Sequence, residues 1–229
     1  MRFVGLELDR KTDIIALAAF MLALGGIVFQ VYGFLRGARV TLFPPGQVTI
    51  MCYSYIASDC NSNTLGEKYV RFAARMAYVN TGELPYNSII KSEAISFNLS
   101  SQTYEQEWQE FRSFTAVGAK LQSKDEGIAR PLPITGGSSL AHETYFAPHI
   151  RRCLGQGTMS CTPGKNFLKF EDFLSELSKT RKIQFRLEAT LYDKAKPLQV
   201  SCTADVDDKL INLLRTRGWS GPDCWPELE

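Results

Sequence analysis

Histidine is scarce in this chain: only His142 and His149 occur among 229 residues. The six cysteines form no C-x-x-C pair, and no H-E-x-x-H is present, so the common zinc patterns are missing. His142 and His149, with Glu143 between them, are the only histidine cluster. Seven residues apart on a strand, the two rings point to opposite faces, which is poor ligand geometry. Neither G-x-x-x-x-G-K-[ST] nor G-x-G-x-x-G occurs, which removes the usual phosphate cradles. The nearest approach to G-x-S-x-G is Gly136-Gly137-Ser138-Ser139, which lacks the closing glycine and lies in a Pro/Gly-rich loop. Ser138 and His142 therefore read as loop and strand residues rather than as nucleophile and base. Charge of one sign is also lacking. Twenty-six basic against 24 acidic residues leave +2, so no overall field selects nucleic acid or an anionic surface. No cofactor pattern is found.

What the chain does have is a long apolar run. Residues 14–35, IIALAAFMLALGGIVFQVYGFL, are 22 positions without a charge, bounded by Asp13 and Arg36. At about 1.5 Å per residue this helix measures about 33 Å, enough to cross a hydrocarbon core of about 30 Å. A secretory signal cleaved near Ala23-Leu24-Gly25 is the rival reading. Hydrophobicity continues to Leu35, however, further than a signal requires, and this favours an uncleaved anchor. Arg2, Arg10 and Lys11 before the run and Arg36 and Arg39 after it orient it only weakly. The cysteines speak more clearly: Cys52, Cys60, Cys153, Cys161, Cys202 and Cys224 all follow the helix. Disulfides persist in oxidising compartments, which puts the large C-terminal part in the periplasm or outside the cell.

The run has a thin side. Ala16, Ala19, Ala23, Gly26, Gln30, Gly33 and Gly37 follow steps of three and four, opposite bulky Leu17, Phe20, Met21, Leu24, Val28, Val31 and Leu35. In lipid, small residues let helices approach closely, and a polar side chain such as Gln30 can bond across the contact. The stripe predicts lateral packing against a second copy or another membrane subunit.

Beyond Phe43-Pro44-Pro45-Gly46, a stiff spacer, the pattern turns to period two. Val70, Phe72, Ala74, Met76 and Tyr78 alternate with Arg71, Ala73, Arg75 and Ala77, and Asn80-Thr81-Gly82 supplies a turn. Arginines interleaved with aromatics between Tyr69 and Tyr78 could mimic a nucleic-acid surface, but alternation with core positions explains them. Ile95, Phe97 and Leu99 alternate next, then Leu140, His142, Thr144 and Phe146. Ile183 to Leu191 and Leu198 to Ala204, joined across Asp193–Pro197, read as a hairpin. Phe167, Phe170, Phe173, Leu174 and Leu177 share a helical face. Asp207 caps, and Gly218 stops, a second helix. Residues 103–116 fit either form. Asn98-Leu99-Ser100 matches a glycosylation acceptor, meaningful only in a eukaryotic secretory pathway.

Seven or eight short strands separated by turns make the expected fold mainly β. One N-terminal transmembrane helix is followed by an antiparallel β-sandwich with short accessory helices. Over about residues 38–204 the architecture resembles an immunoglobulin-like or fibronectin-like domain, without the Cys, Trp, Cys spacing of true immunoglobulins. The expected organisation is a cytoplasmic N-terminus (1–13), the helix (14–36), a linker (37–47) and an exported disulfide-bonded sandwich with a helical tail (48–229). Six cysteines permit 15 pairings. Short turn-rich separations favour Cys52 with Cys60, Cys153 with Cys161, and Cys202 with Cys224.

Thirteen residues before the helix are too few to build a site, so activity belongs to the helix or the exported part. The reading is a non-enzymatic, single-pass protein of the cell (inner) membrane, in contact with lipid and with a partner subunit or itself. It would be an accessory or scaffolding subunit presenting an interaction module, with no nucleic-acid partner. The alternative is a membrane-anchored receptor or ligand-binding module using loops 131–139 or 153–164. An exported hydrolase built from scattered carboxylates is the third reading.

Overall fold

The computed structural model describes residues 12–54, 68–82, 86–100, 102–117, 120–148 and 168–226. Cys60, Cys153, Cys161, His149 and loop 153–164 lie outside the described residues. Helix α1 is Thr12–Arg36, followed by strands β1 Val40–Phe43, β2 Val48–Ser54, β3 Lys68–Asn80 and β4 Ser88–Leu99. Strands β5 Gln102–Val117, β6 Lys120–Ile128, β7 Leu132–Ile134 and β8 Ser139–Ala147 follow. The remainder is α2 Phe170–Thr180, β9 Lys182–Leu191, β10 Leu198–Asp205, α3 Asp208–Arg217, β11 Trp219–Ser220 and β12 Trp225–Pro226.

Every described strand belongs to one antiparallel sheet, ordered β11-β2-β3-β8-β5-β4-β9-β10-β12, with β1 on β3, β6 on β5 and β7 on β4. The two-sheet sandwich expected from strand spacing is therefore replaced by a single sheet curled like a half-barrel. The curl follows from the core. β3 and β9 stand four places apart, about 19 Å in a flat sheet at about 4.8 Å per strand. Yet the rings of Phe72 on β3 and Phe185 on β9 have centroids 5.4 Å apart. Phe97 on β4 lies 4.7 Å from Phe72, and Phe173 of α2 packs edge-on against both. The sheet thus wraps its own apolar face, and α2 occupies the hollow where a second sheet was expected.

The periodic segments form as their patterns require. Val70, Phe72, Ala74, Met76 and Tyr78 are all buried, as are Ile183, Phe185, Leu187, Ala189 and Leu191. Asp207 caps α3, its Oδ1 accepting from Leu210 N at 2.7 Å, and Gly218 ends the helix at φ 74°. The ambiguous stretch 103–116 is strand. Tyr104, Gln106 and Trp108 turn inward in period two, then an irregularity between Trp108 and Glu110 carries Phe111 inward out of phase. That slip mimics helical spacing. Residues 40–43, inside the expected linker, form β1, because Val40 and Leu42 alternate with Thr41 and Phe43 and bury against the core.

Two features arrange the ends of the sheet. β11 and β12 occupy opposite ends of the strand order although only residues 221–224 separate them. The C-terminal segment therefore straps the β2 edge to the β10 edge. Cys224 N donates to Gly46 O at 3.0 Å, and Cys224 is disulfide-bonded to Cys202. The strand registers also sort the connections between two rims. Val40, Asn80, Ser88, Ile134, Ser139, Leu191 and Leu198 lie at the rim where the chain arrives from α1. Ser54, Lys68, Leu99, Gln102, Lys182 and Asp205 lie at the opposite rim.

Candidate functional site

Charge inside the hollow centres on Glu93, 1% exposed, on β4. The β4–β9 register slips between Ile90 and Ser92, so Lys91 is an extra residue that reverses the alternation. Ser88 and Ile90 point inward before the slip; Glu93, Ile95, Phe97 and Leu99 do so after it. Without it Glu93 would face solvent. Instead its Oε1 accepts from Tyr78 Oη on β3 at 2.5 Å, and its Oε2 accepts from Thr144 Oγ1 on β8. His142 Nε2 on β8 lies 2.8 Å from Oε1. A carboxylate removed from water is tolerable only with such donors. Burial, reinforced by the neighbouring Glu93, pushes the Tyr78 phenol far above its ordinary range, so it stays protonated and donates. The ring of His142 stacks on Tyr78, and Phe111 meets it edge-on.

Chemically this is an acid held by two hydroxyl donors and an imidazole nitrogen. In a nucleophile triad the imidazole stands between hydroxyl and carboxylate; here the carboxylate stands between hydroxyls and imidazole. The structure does not bring Ser138 to His142, since Ser138 Oγ donates to Thr135 O at 2.6 Å in a turn. Sequence inspection missed Glu93. Continuing the alternation of Ile95, Phe97 and Leu99 back by one step would have found it.

A second cluster lies on the outer face. Arg71 donates from Nη1 to Tyr145 Oη at 3.2 Å, and its guanidinium sits 3.3 Å from the centre of the Tyr53 ring. Burial raises the Tyr145 pKa, and the nearby Arg71 partly opposes the rise. Arg71 thus serves a packed aromatic cluster. A groove of about 360 Å³ opens where β2 and β3 meet α2 and α3, lined by Cys52, Lys68, Phe170, Glu171, Leu214 and Arg215.

At the rim beside α1, Asn80 is wholly buried and uses its full bonding capacity. Its Oδ1 accepts from Arg39 N and Gly82 N, and its Nδ2 donates to the carbonyls of Tyr86 and Ile134. Loop 131–139 belongs to this rim, with Gly137 N donating to Asn80 O. The chain leaves the described residues at Pro148 and returns at Leu168, whose carbonyl accepts from Val70 N near the opposite rim.

Of the expected cysteines, Cys202 and Cys224 are joined, and Cys52 is disulfide-bonded to a residue outside the described set. Ala16, Ala19, Ala23, Gly26 and Gln30 lie exposed on α1, and Gly33 falls within its span. Gly37 stands just past the helix end at φ 56°, the left-handed conformation that terminates helices. Ile15–Tyr32 is long and apolar enough to cross a membrane, and none of it is buried by the rest of the chain. Among the described residues no group of three or more His, Cys, Asp or Glu is placed to hold a metal ion. The chain matches no protein-family model, and no curated protein or solved structure is significantly similar to it.

Proposed function

We propose that this is a non-enzymatic single-pass protein of the cell (inner) membrane, anchored by α1, with its curled sheet in the periplasm or outside the cell. It acts as an accessory or scaffolding subunit, presenting the sheet domain to a membrane assembly. The observation that carries this reading is the uncovered apolar helix. Ile15, Leu22 and Phe29 are each at least 70% exposed. At about 25 cal/mol per Å² of apolar surface, leaving that length of helix in water is strongly unfavourable, and lipid relieves it. The Cys202–Cys224 bond supports the outward placement of the head. Glu93 supports the non-enzymatic part, because its oxygens are already engaged by three side chains of the same sheet.

Alkaline carbonate extraction and intact mass of the membrane-derived protein test the anchor. Retention in the pellet at full length is expected; loss of about 25 residues would instead identify a cleaved secretory signal. Native mass spectrometry of a mild detergent extract tests the scaffolding role, and a strictly monomeric, partner-free chain would remove it.

The groove lined by Lys68, Glu171 and Arg215 favours a second reading, a membrane-anchored ligand-binding module. A solute-dependent rise in melting temperature that R215A abolishes would support that alternative.

A further inference from the structure

We propose that the rim beside α1 rests on the membrane and binds anionic lipid headgroups through Arg39, Lys91, Lys194 and Lys196, with Tyr192 and Ile89 entering the interfacial layer. This rests on α1 being a membrane span.

The first argument is reach. Helix α1 ends at Arg36 and β1 begins at Val40. Four residues cover at most about 14 Å when fully extended, so this rim stays close to the point where the helix leaves the bilayer. Residues 39 and 40 are also fastened to the rest of it. Asn80 Oδ1 accepts from Arg39 N at 3.1 Å, and Lys194 Nζ donates to Val40 O at 3.5 Å. Tyr192 N donates to Ile89 O at 3.0 Å, which places those two exposed side chains side by side. Lys91 lies 5.7 Å from the Tyr192 ring.

The second argument is charge. At the opposite rim two of the cations face carboxylates: Arg181 with Asp208 at 2.6 Å, and Lys182 with Asp205 at 3.8 Å. Among the described residues, Arg39, Lys91, Lys194 and Lys196 have no carboxylate at ion-pair distance. Among the described residues the acid in their midst, Asp193, accepts a hydrogen bond from Ser88 Oγ. A nearly neutral protein thus sets four cations without a carboxylate partner among the described residues at the end its anchor holds against the bilayer. Tyr192, 62% exposed, and Ile89, 41% exposed, add the mixed aromatic and apolar character that the headgroup layer accommodates. Long lysine stems reach phosphates from this position.

The test uses the full chain reconstituted in vesicles of phosphatidylcholine alone, or of phosphatidylcholine with phosphatidylglycerol, and a membrane-impermeant lysine-acylating reagent read by mass spectrometry. Lys91, Lys194 and Lys196 should react about threefold or more slowly in the anionic vesicles, while Lys182 and Lys209 react alike in both. Salt at about 1 M, where screening acts within about 3 Å, should erase the difference. Equal rates for the rim lysines in both vesicles, or protection unaffected by salt, would overturn the proposal. Carbonate extraction of the same vesicles separates the two ideas. Retention without protection refutes the rim contact alone, whereas release of the chain refutes the span and the contact with it.

Discussion

Tyr78 on β3 donates a 2.5 Å hydrogen bond to Glu93 on β4, although β8 and β5 lie between those strands in the sheet. Only a tightly curled sheet brings the two side chains within reach. Thr144 and His142 on β8 bond to the same carboxylate, so one acid joins three strands across the hollow. Apolar contacts hold the curl without direction; this cluster requires that β3, β4 and β8 take one mutual register.

Replacing the acid therefore tests whether the cluster specifies the curl. Glu93→Leu leaves the Tyr78 and Thr144 hydroxyls and the His142 Nε2 facing hydrocarbon, and should cost about 2 to 5 kcal/mol. Glu93→Gln keeps the shape but turns an amide NH₂ toward a donor, for a smaller loss of about 1 to 2 kcal/mol. Denaturant titration of the full chain in detergent, followed by tryptophan emission, measures both. Equal midpoints for wild type and Glu93→Leu would show that packing alone sets the curl.

Alkaline stability gives an independent reading of the same pair. Burial first, and the adjoining Glu93 second, raise the Tyr78 pKa above its ordinary value of 10.0. Above that value the unfolded chain loses the phenolic proton while the folded chain retains it. The folded state then binds more protons, and stability falls as pH rises. Below pH 10 the contribution is fully present. Melting temperature should drop more steeply between about pH 10 and 11 in wild type than in Tyr78→Phe, which starts lower for lack of the hydrogen bond. Parallel slopes would refute the assignment. Tyr145, also raised by burial, remains in both proteins and sets the shared background.

Much of the β architecture was legible because its strands alternate strictly. Ile183 to Leu191 buries every second residue over its whole length, and Asp207 and Gly218 mark α3 by capping chemistry alone. What was illegible depends on interruptions. The slip at Lys91 hides Glu93 from a reading that carries the phase of Ser88 and Ile90 forward, and the irregularity near Glu110 makes Trp108 and Phe111 look helical. The count of strands cannot distinguish two facing sheets from one curled sheet, since both bury alternate residues of every strand. That distinction comes from which strands pair. Here it turns on Phe72 reaching both Phe97 and Phe185 and on α2 entering the hollow. The Cys202–Cys224 pairing was accessible from short separation, but its role as a strap depended on β11 and β12 occupying opposite ends of the order.

That strap has its own test. Cys202 and Cys224 are 22 residues apart, with both side chains buried. Closing a loop of that length restricts the unfolded chain by about 3 kcal/mol in the chain-entropy account. The double variant Cys202→Ser, Cys224→Ser should lose about that much, and β12 should fray from β10 before the rest unfolds. Hydrogen exchange at Thr203 and Trp225 would report the fraying locally. Unchanged protection there, with the midpoint unaltered, would mean that the bond at Cys224 N and the β11 pairing hold the segment unaided.

The small-residue side of α1 is the remaining surface with a specific expectation. A Cβ built on Gly26 meets nothing within 4 Å, so enlarging it creates no clash inside the chain. Gly26→Leu should therefore leave the melting of the sheet domain unchanged, and the same is expected when it is combined with Gly33→Leu on the same helix. In lipid, however, the added bulk would hold a neighbouring helix away from the backbone and remove the close approach that drives helix packing. Gln30→Leu would remove the cross-helix hydrogen bond without adding much volume, for a smaller loss of about 1 kcal/mol. Native mass spectrometry in mild detergent, or energy transfer between labelled copies in vesicles, should register a loss of association in the order double variant, then Gln30→Leu. If the double variant assembles as wild type does, the thin face of α1 is not where neighbours bind, and association must run through the sheet domain.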